Sequence, residues 1–180
     1  MRTKSSVKPD LAPAPNLPGE PLLTEKCTCC HVLNFKQILV PVDFSECSAA
    51  ALDCAVIIAM RFESKITLLH VVEPAAYPEN SLLTPSSLDE TNQSRMTTAR
   101  ERLARLQKTK GQGCSIEALV RMGRAQSEIP DTAKAIGAEL IVLGTYGFSG
   151  VKKSLLGGTA ERVLHHAPCP VLTIRRPATG

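Results

Sequence analysis

Aromatic residues are scarce in this chain of 180 residues: they make up 3% of it, and tryptophan is absent. Proteins that hold single-stranded nucleic acid stack successive bases on aromatic side chains, so the composition disfavours this class of binding protein. The formal net charge is +4, and no dense run of lysine and arginine occurs. We therefore expect no nucleic-acid partner, because such proteins concentrate positive charge on one face.

Long apolar runs are also absent. None reaches the roughly 18 residues of a membrane-spanning helix, so we expect no membrane partner. The basic residues Arg2, Lys4 and Lys8 are not followed by an apolar segment of about 7–15 residues, which disfavours a secretory signal. We expect a cytoplasmic protein whose seven cysteines are reduced thiols rather than a disulfide framework.

The first 34 residues have no apolar periodicity and hold five of the thirteen prolines. Such a segment buries too little surface to offset its ordering entropy, so we predict a disordered or extended tail over residues 1–34. It ends with Cys27, Cys29, Cys30 and His31, which have half of the spacing of a zinc site. Exposed thiols are the preferred interpretation, and a zinc or redox role is the alternative.

Residues 35–176 alternate short apolar runs with segments of helical periodicity, and a short tail follows at 177–180. The predicted strands are 37–42, 65–72, 115–120, 139–143 and 170–174. The predicted helices run from Ser45 to 62, from Ser87 or Asp89 to about 108, from Ser127 to 136, and onward from about Gly157. This alternation is typical of an α/β fold: an open, doubly wound, five-stranded parallel sheet with helices on both faces, as in Rossmann-like proteins.

Several side chains have predicted structural roles. Ser45 and Ser127 are predicted helix N-caps, with Pro130 in the first turn, where a missing N–H is tolerated. Apolar residues at helical spacing are Leu52, Ala55, Val56, Ala59 and Met60 in the first helix, and Met96, Ala99, Leu103 and Leu106 in the second. The core is expected to include Cys54 and His70, whereas His165 and His166 are expected to be a solvated pair near a helix end.

Two strand ends carry residues suited to an anionic ligand. In an open α/β sheet, ligands bind beyond the carboxyl ends of the strands, where the strand order reverses. Asp43 follows the first strand, and a stretch with five glycines, 144–158, follows the fourth. If these strands are neighbours, Asp43 faces the glycines across one crevice. Glycine lets main-chain amides approach an anion, and the helix near Gly157 adds free donors, so the pattern predicts a site for a di- or triphosphate.

The glycine stretch does not match the two commoner phosphate motifs. A P-loop would need a glycine before Lys152 or Lys153, and a dinucleotide-binding turn would need one residue, not two, between Gly144 and Gly147. Simpler roles stay open: the glycines could serve turns alone, Asp43 could cap the following helix, and the two lysines could be solvated rather than near a phosphate.

The glycine spacing instead resembles the nucleotide-binding signature of the universal stress protein family, G-x2-G-x9-G-[S/T]. Gly144, Gly147 and Gly157 match it. Other segments that resemble the family follow in order along residues 35–176, namely 38–45, 67–71, 138–144 and 160–172. The resemblance implies the family's fold, which is similar to that of the adenine nucleotide alpha hydrolases, and a homodimer formed through the edge strand 170–174.

The resemblance also implies an adenine nucleotide, most simply ATP with Mg²⁺, as the cofactor, with Asp43 as a Mg²⁺ ligand. The implied nucleotide-binding residues are Pro41, Val42, Asp43, Val71, Leu143, Gly144, Gly147, Gly157, Gly158 and Thr159. Gly158 departs from the family's Ser or Thr, whose hydroxyl bonds a terminal phosphate. The lost hydrogen bond corresponds to about 1.5–3 kcal/mol, or about 10–100-fold in affinity, unless Thr159 or Ser154 replaces it.

No nucleophile with an oriented base is recognisable, so we expect no catalytic residues and at most slow ATP hydrolysis. The expected function is a regulatory switch in a cytoplasmic stress response, set by nucleotide occupancy and read by a downstream protein of unknown identity. The alternative is a nucleotide-free dimerisation module. A nucleotide hydrolase or ligase-like enzyme of this fold would need Ser-Gly-Gly-x-Asp after the first strand, and residues 41–45 do not supply it.

Overall fold

A five-stranded parallel sheet carries the fold in the computed structural model, which describes residues 35–74, 85–145 and 157–175. All of these belong to the unit Asn34–Gly180. The elements of the described part are β1 (Gln37–Pro41), α1 (Glu46–Phe62), β2 (Lys65–Val72), α2 (Pro85–Lys110), β3 (Ser115–Met122), α3 (Ala125–Ala135), β4 (Leu140–Gly144), α4 (Gly158–His166) and β5 (Val171–Ile174).

The strand order is β3-β2-β1-β4-β5, and every pair of neighbours is parallel. β1 lies between β2 and β4, with Ile38 opposite Leu140 and Leu39 opposite Ile141. The order therefore reverses between β1 and β4, which places their carboxyl ends side by side. The predicted fold class is confirmed.

The core has two layers because successive side chains of a strand point to opposite faces of the sheet. Ile38 and Val40 pack with Leu52 of α1 and Leu103 of α2, whereas Leu39 belongs to the layer under α3 and α4. All five side chains are essentially inaccessible to solvent. Because helices cover both faces of the sheet, the side chains on both faces of each strand are buried. The strands therefore appear in the sequence as continuous apolar runs rather than as alternating ones.

The predicted cap of α1 is confirmed: the Ser45 hydroxyl accepts a hydrogen bond of 3.2 Å from the N–H of Ser48. The predicted cap of α3 is wrong. This helix begins earlier, with Arg124 as its N-cap, because the N–H groups of both Ser127 and Glu128 donate to the Arg124 carbonyl. Pro130 consequently lies inside the helix, buried, rather than in its first turn.

The interior face of α1 is narrower than its apolar periodicity predicts. Ala55 and Ala59 are buried, but Met60 is 58% exposed and Cys54 is only half-buried. α2 begins at Pro85, ahead of the predicted start, and buries Ala99 and Leu103 while Met96 and Leu106 are half-buried. No helix of the described residues is both long enough and apolar enough to cross a bilayer.

Candidate nucleotide-binding site

A cavity of about 440 Å³ lies beyond the carboxyl ends of β1, β2 and β4. Its volume falls within the usual range of small-molecule sites, about 300–1,000 Å³. The residues predicted to bind nucleotide that line it are Pro41, Val42, Asp43, Val71, Leu143, Gly144, Gly157, Gly158 and Thr159. Their assignment as ligand contacts stays a prediction. Gly147, Lys152, Lys153 and Ser154 lie outside the described residues, as do Cys27, Cys29, Cys30 and His31 of the tail.

The start of α4 presents main-chain donors to this cavity. Gly157 is the N-cap, no side chain of the described residues caps the helix, and the first bond within the helix runs from Glu161 N–H to Gly157 O at 2.9 Å. The N–H groups of Gly158, Thr159 and Ala160 thus have no partner within the helix, and all three residues line the cavity. Free amides at the positive end of a helix dipole attract anions.

One main-chain amide of the glycine stretch already has a hydrogen-bond partner within the protein. The Gly157 N–H donates to the Thr145 carbonyl at 2.8 Å. It therefore supports the position of the helix start, and the donors that remain for a ligand belong to the next three residues.

Gly144 has a structural reason to be glycine. A Cβ at this position would lie 2.8 Å from the carbonyl carbon of Cys47 and 2.9 Å from its Cβ. The first turn of α1 thus packs directly on the end of β4. The sequence predicted that a ligand requires this glycine, but the steric requirement comes from α1.

Gly158 is different. A Cβ added there would meet no heavy atom of the described residues within 4 Å. The first position of α4 can therefore accept a side chain, and the family's missing hydroxyl would fit in this place.

Asp43 lies between the start of α1 and the cavity, and the helix cap itself is Ser45. Oδ1 of Asp43 accepts the N–H of Ser45 at 2.9 Å, and Asp43 also lines the cavity. Burial by itself raises the pKa of Asp43, but hydrogen bonds from Ser45 and Ser48 outweigh it and hold the pKa below its ordinary value. The carboxylate is thus ionised at neutral pH.

The turn that carries Asp43 is held by a stack of side chains. Phe44 has a φ of 65°, in the left-handed region that aromatic residues rarely adopt. Its ring lies 4.6 Å from that of His70, and the Arg102 guanidinium lies 3.7 Å from the Phe44 ring centre. Nδ1 of His70 is 2.7 Å from the Val42 carbonyl. A carbonyl only accepts, so Nδ1 carries the proton.

These contacts agree with the packing role that the sequence predicts for His70, which is half-buried. His165 and His166 are exposed in the last turn of α4, as predicted, and Nδ1 of His166 bonds the Arg162 carbonyl at 2.8 Å.

Sequence reasoning missed eight residues that line the cavity, namely Ser48, Leu69, His70, Glu73, Ala125, Ile129, Thr145 and Ala160. Ala125 and Ile129 of α3 line it beside Val71, and no sequence signal links them to β2 because the contact arises only on folding. Thr145, at the end of β4, also lines the cavity. Thr145 directly follows Gly144 within the glycine signature, so the signature could have identified it as a residue of the cavity.

Two solved structures with a similar fold carry adenine nucleotides. One is a universal stress protein in complex with cAMP, 23% identical, with a TM-score of 0.57 over 79% of this chain and 98% of that one. The other is a universal stress protein family protein from Arabidopsis thaliana with AMP bound, 21% identical, with a TM-score of 0.53 over 79% and 93% of the two chains. At these identities the likeness shows the fold alone.

Closer relatives show the family. Universal stress protein YxiE of Bacillus subtilis is 33% identical over 147 residues, which cover 78% of this chain and 99% of the relative. The structure of universal stress protein UspA from Lactobacillus plantarum is 32% identical, with a TM-score of 0.70 over 79% and 99% of the two chains. The model of the universal stress protein family matches residues 34–175. This chain therefore belongs to the universal stress protein family.

Proposed function

We propose that this protein binds an adenine nucleotide, in the first place ATP, in the cavity beyond β1 and β4, and that occupancy acts as a regulatory switch in a cytoplasmic stress response. The observation that carries the proposal is the start of α4, where the amides of Gly158, Thr159 and Ala160 face a cavity without a partner in their helix. The family's cAMP and AMP complexes support an adenine nucleotide as the anion.

The apolar part of the cavity lining suits a purine base. It includes Val42, Val71, Ala125, Ile129 and Leu143. The Val42 N–H donates to the Leu69 carbonyl at 2.8 Å, and its own carbonyl bonds His70. Val42 therefore contributes an apolar surface rather than a free amide, and a flat base would gain mainly from burial and shape.

Mg²⁺ can bind in this cavity only together with the phosphate groups of the nucleotide. Among the described residues, no group of three or more His, Cys, Asp or Glu could hold a metal ion. Mg²⁺ usually keeps several waters and takes one or two carboxylates together with phosphate oxygens, so Asp43 can serve as a single protein ligand.

The residues of the cavity favour nucleotide binding over nucleotide hydrolysis. Ser48 is the buried hydroxyl on the β1 side, and it donates to the Ser45 carbonyl at 3.0 Å instead of pairing with a base. Within the described part of the cavity, no nucleophile has an oriented general base, so any hydrolysis would be slow.

Charge reversal at Gly158 tests the proposal. Gly158→Asp adds a carboxylate beside the free amides, where space is open and where an acidic residue stabilises a helix start. We expect the variant to fold, and to bind ATP at least 100-fold more weakly by titration calorimetry because like charges repel. Gly158→Ala is the matched control and should bind as the wild type does. Equal affinity of the Asp variant would contradict a phosphate at this position.

We also propose a homodimer through β5. β5 is an edge strand in the described sheet, and its four residues are half-buried. An edge with unpaired main-chain groups can add a strand from a second copy. If the purified wild type forms the dimer but retains no adenine nucleotide, as judged by mass spectrometry of released ligand, the nucleotide-free dimerisation module is the better description.

A further inference from the structure

We infer that a groove between α2 and the end of β2 is a docking site for an acidic segment of a partner protein. This docking groove has a volume of about 380 Å³ and is distinct from the nucleotide cavity. The polar residues of α2 that line it are Ser94, Arg95, Thr98 and Arg102. The inference goes beyond the proposed function, which does not specify the chemistry of a partner.

The cations of the docking groove lie on one face of α2. Arg95, Thr98 and Arg102 follow one another at spacings of three and four residues, so they are neighbours on the helix surface, and all three are exposed. Residues 91–110 hold six lysines and arginines but one acidic residue, Glu101. Glu101 directly precedes Arg102 and therefore lies about 100° away from it around the helix. This face thus presents positive charge to solvent.

Both arginines are held in place by contacts that do not neutralise them. The Arg102 guanidinium lies 3.7 Å from the centre of the Phe44 ring, and Nη1 of Arg95 donates to the Glu73 carbonyl at 2.7 Å. Among the described residues, neither arginine forms an ion pair, and the Glu73 carboxylate, which also lines the groove, is paired with neither. Each guanidinium has five N–H donors, so most of them are available to a carboxylate.

Two hydroxyl groups add donors between the arginines. Thr91, Thr97 and Thr109 of α2 each donate to the carbonyl four residues earlier, as hydroxyls inside helices often do. Ser94 and Thr98 make no such bond within the described part of the chain. Their hydroxyls are therefore available to the same ligand as the guanidinium groups.

The geometry favours a protein segment over a single phosphate or a nucleic acid. Arg95 and Arg102 are seven positions apart, about 10 Å along the helix axis, which is more than one phosphate group spans. An extended peptide covers this distance with about three residues. A single-stranded nucleic acid would need a free aromatic face for its bases, but the Phe44 ring already contacts Arg102 and His70.

The docking groove adjoins the nucleotide cavity. His70, Val71 and Glu73 line both, and Phe44 directly follows Asp43. A segment in the groove would thus contact residues that also surround the nucleotide. If the nucleotide changes the affinity for the partner, the partner changes the affinity for the nucleotide by the same factor. This link rests on the proposed function, whereas the docking itself does not.

The test uses a fluorescently labelled peptide of eight glutamates, whose binding to the full chain is measured by fluorescence anisotropy at low salt without nucleotide. Thr98→Glu places a carboxylate three positions after Arg95 and four before Arg102, where it would pair with them and exclude the peptide. Thr97→Glu makes the same change of charge at an exposed position outside the groove. We expect at least about 10-fold weaker binding for Thr98→Glu and less than about 3-fold for Thr97→Glu.

A second pair of variants removes charge instead of adding it. Arg95→Ala should weaken peptide binding about 5-fold or more, whereas Arg100→Ala, which removes an exposed arginine outside the groove, should change it less than about 2-fold. Thermal unfolding of each variant checks that it is folded, and Glu at position 98 favours the helix more than Thr does.

Three results would overturn the inference. The first is failure of the wild type to bind the peptide. The second is an equal loss in Thr98→Glu and Thr97→Glu, which would mean that net charge alone attracts the peptide. The third is tighter binding of an eight-nucleotide thymidine oligonucleotide, with the same variants affected, which would make the groove a nucleic-acid site.

A parallel titration with ATP separates this inference from the proposed function. If the wild type binds the peptide through the groove but does not bind ATP, the proposed function fails and the docking site stands. If it binds ATP but not the peptide, the docking site fails and the proposed function stands. Binding of neither would overturn both.

Discussion

The N–H of Gly157 donates a hydrogen bond of 2.8 Å to the carbonyl oxygen of Thr145, so the start of α4 is joined directly to the end of β4. This bond spans twelve positions of the chain and sets the place of the α4 amides in the cavity. Within the glycine stretch, Gly157 therefore helps to build the cavity, whereas the Gly158 amide has no partner in its helix.

Gly158→Ser should strengthen nucleotide binding. The position is sterically open, and a serine would restore the hydroxyl that the family signature places after its last glycine. A new hydrogen bond to a charged phosphate contributes about 1.5–3 kcal/mol, so we expect affinity for ATP to rise about 10–100-fold by calorimetry. Gly158→Ala is the control without a hydroxyl. If serine and alanine bind alike, no phosphate oxygen lies within reach of this position.

Gly144→Ala should destabilise the fold itself. The added methyl group would lie under 3 Å from the main chain of Cys47, so α1 or β4 would have to move. Overpacking of this kind costs about 1–3 kcal/mol, measured as the free energy of unfolding in urea. Gly158→Ala, which adds the same methyl group in open space, should leave stability unchanged or raise it. An unchanged stability of Gly144→Ala would refute the packing role.

Asp43→Asn should change the pH dependence of stability. Because the pKa of Asp43 is lower in the folded protein than in the unfolded chain, the charged form stabilises the fold above the unfolded pKa, about 3.9. That contribution disappears as pH falls through the folded pKa, which lies below this value. The wild type should thus exceed Asp43→Asn in stability at pH 5–7, and the difference should shrink below about pH 4.

The measurement is urea unfolding of both proteins across this pH range. The difference should be modest, because Asp43 is only partly removed from solvent, which screens its charge. A difference that grows as pH falls would have the wrong sign and would contradict the hydrogen-bonded carboxylate.

Thr173→Pro should prevent the homodimer proposed through β5 and leave monomers. The carbonyls of Pro170 and Ile174 accept hydrogen bonds from the β4 side, so alternation along the strand turns the main-chain N–H of Thr173 outward. Proline removes that donor and is tolerated on the open side of an edge strand. Size-exclusion chromatography with light scattering should show a monomer for this variant and a dimer for the wild type and for Thr173→Ala. A monomeric wild type would contradict the dimer.

Local chemistry explains which parts of the fold could be predicted. Branched apolar runs specify strands buried on both faces, as Lys65–Val72 shows with its predicted bounds confirmed. Ser45 caps α1 with its own side chain, a contact that involves only the next three residues. The predicted start of α3 was wrong because the Arg124 carbonyl, rather than a side chain, accepts the first hydrogen bonds of this helix. Any residue can supply a main-chain carbonyl, so the residue type does not indicate such a helix start.

Contacts between distant residues were beyond such reasoning. Ala59 and Met60 are neighbours in one apolar pattern, yet one is buried and the other is 58% exposed, because only packing defines the edge of the helix face. The requirement for Gly144 comes from Cys47, nearly a hundred positions away.

By itself, the sequence determined the α/β alternation and the place of a crevice between the first and fourth strands, since these depend on periodicity and on the rules of parallel sheets. The resemblance to the family, rather than periodicity, supplied most of the residues expected around that crevice. Tertiary structure alone decided what each residue of that crevice can do. It used the Gly157 amide internally, left the next three amides without a partner in their own helix, filled the space beside Gly144 with α1, and buried the Thr145 hydroxyl with no partner among the described residues. The physical reason is that burial and hydrogen-bond satisfaction are set by neighbours in space, which residue types and their spacing do not record.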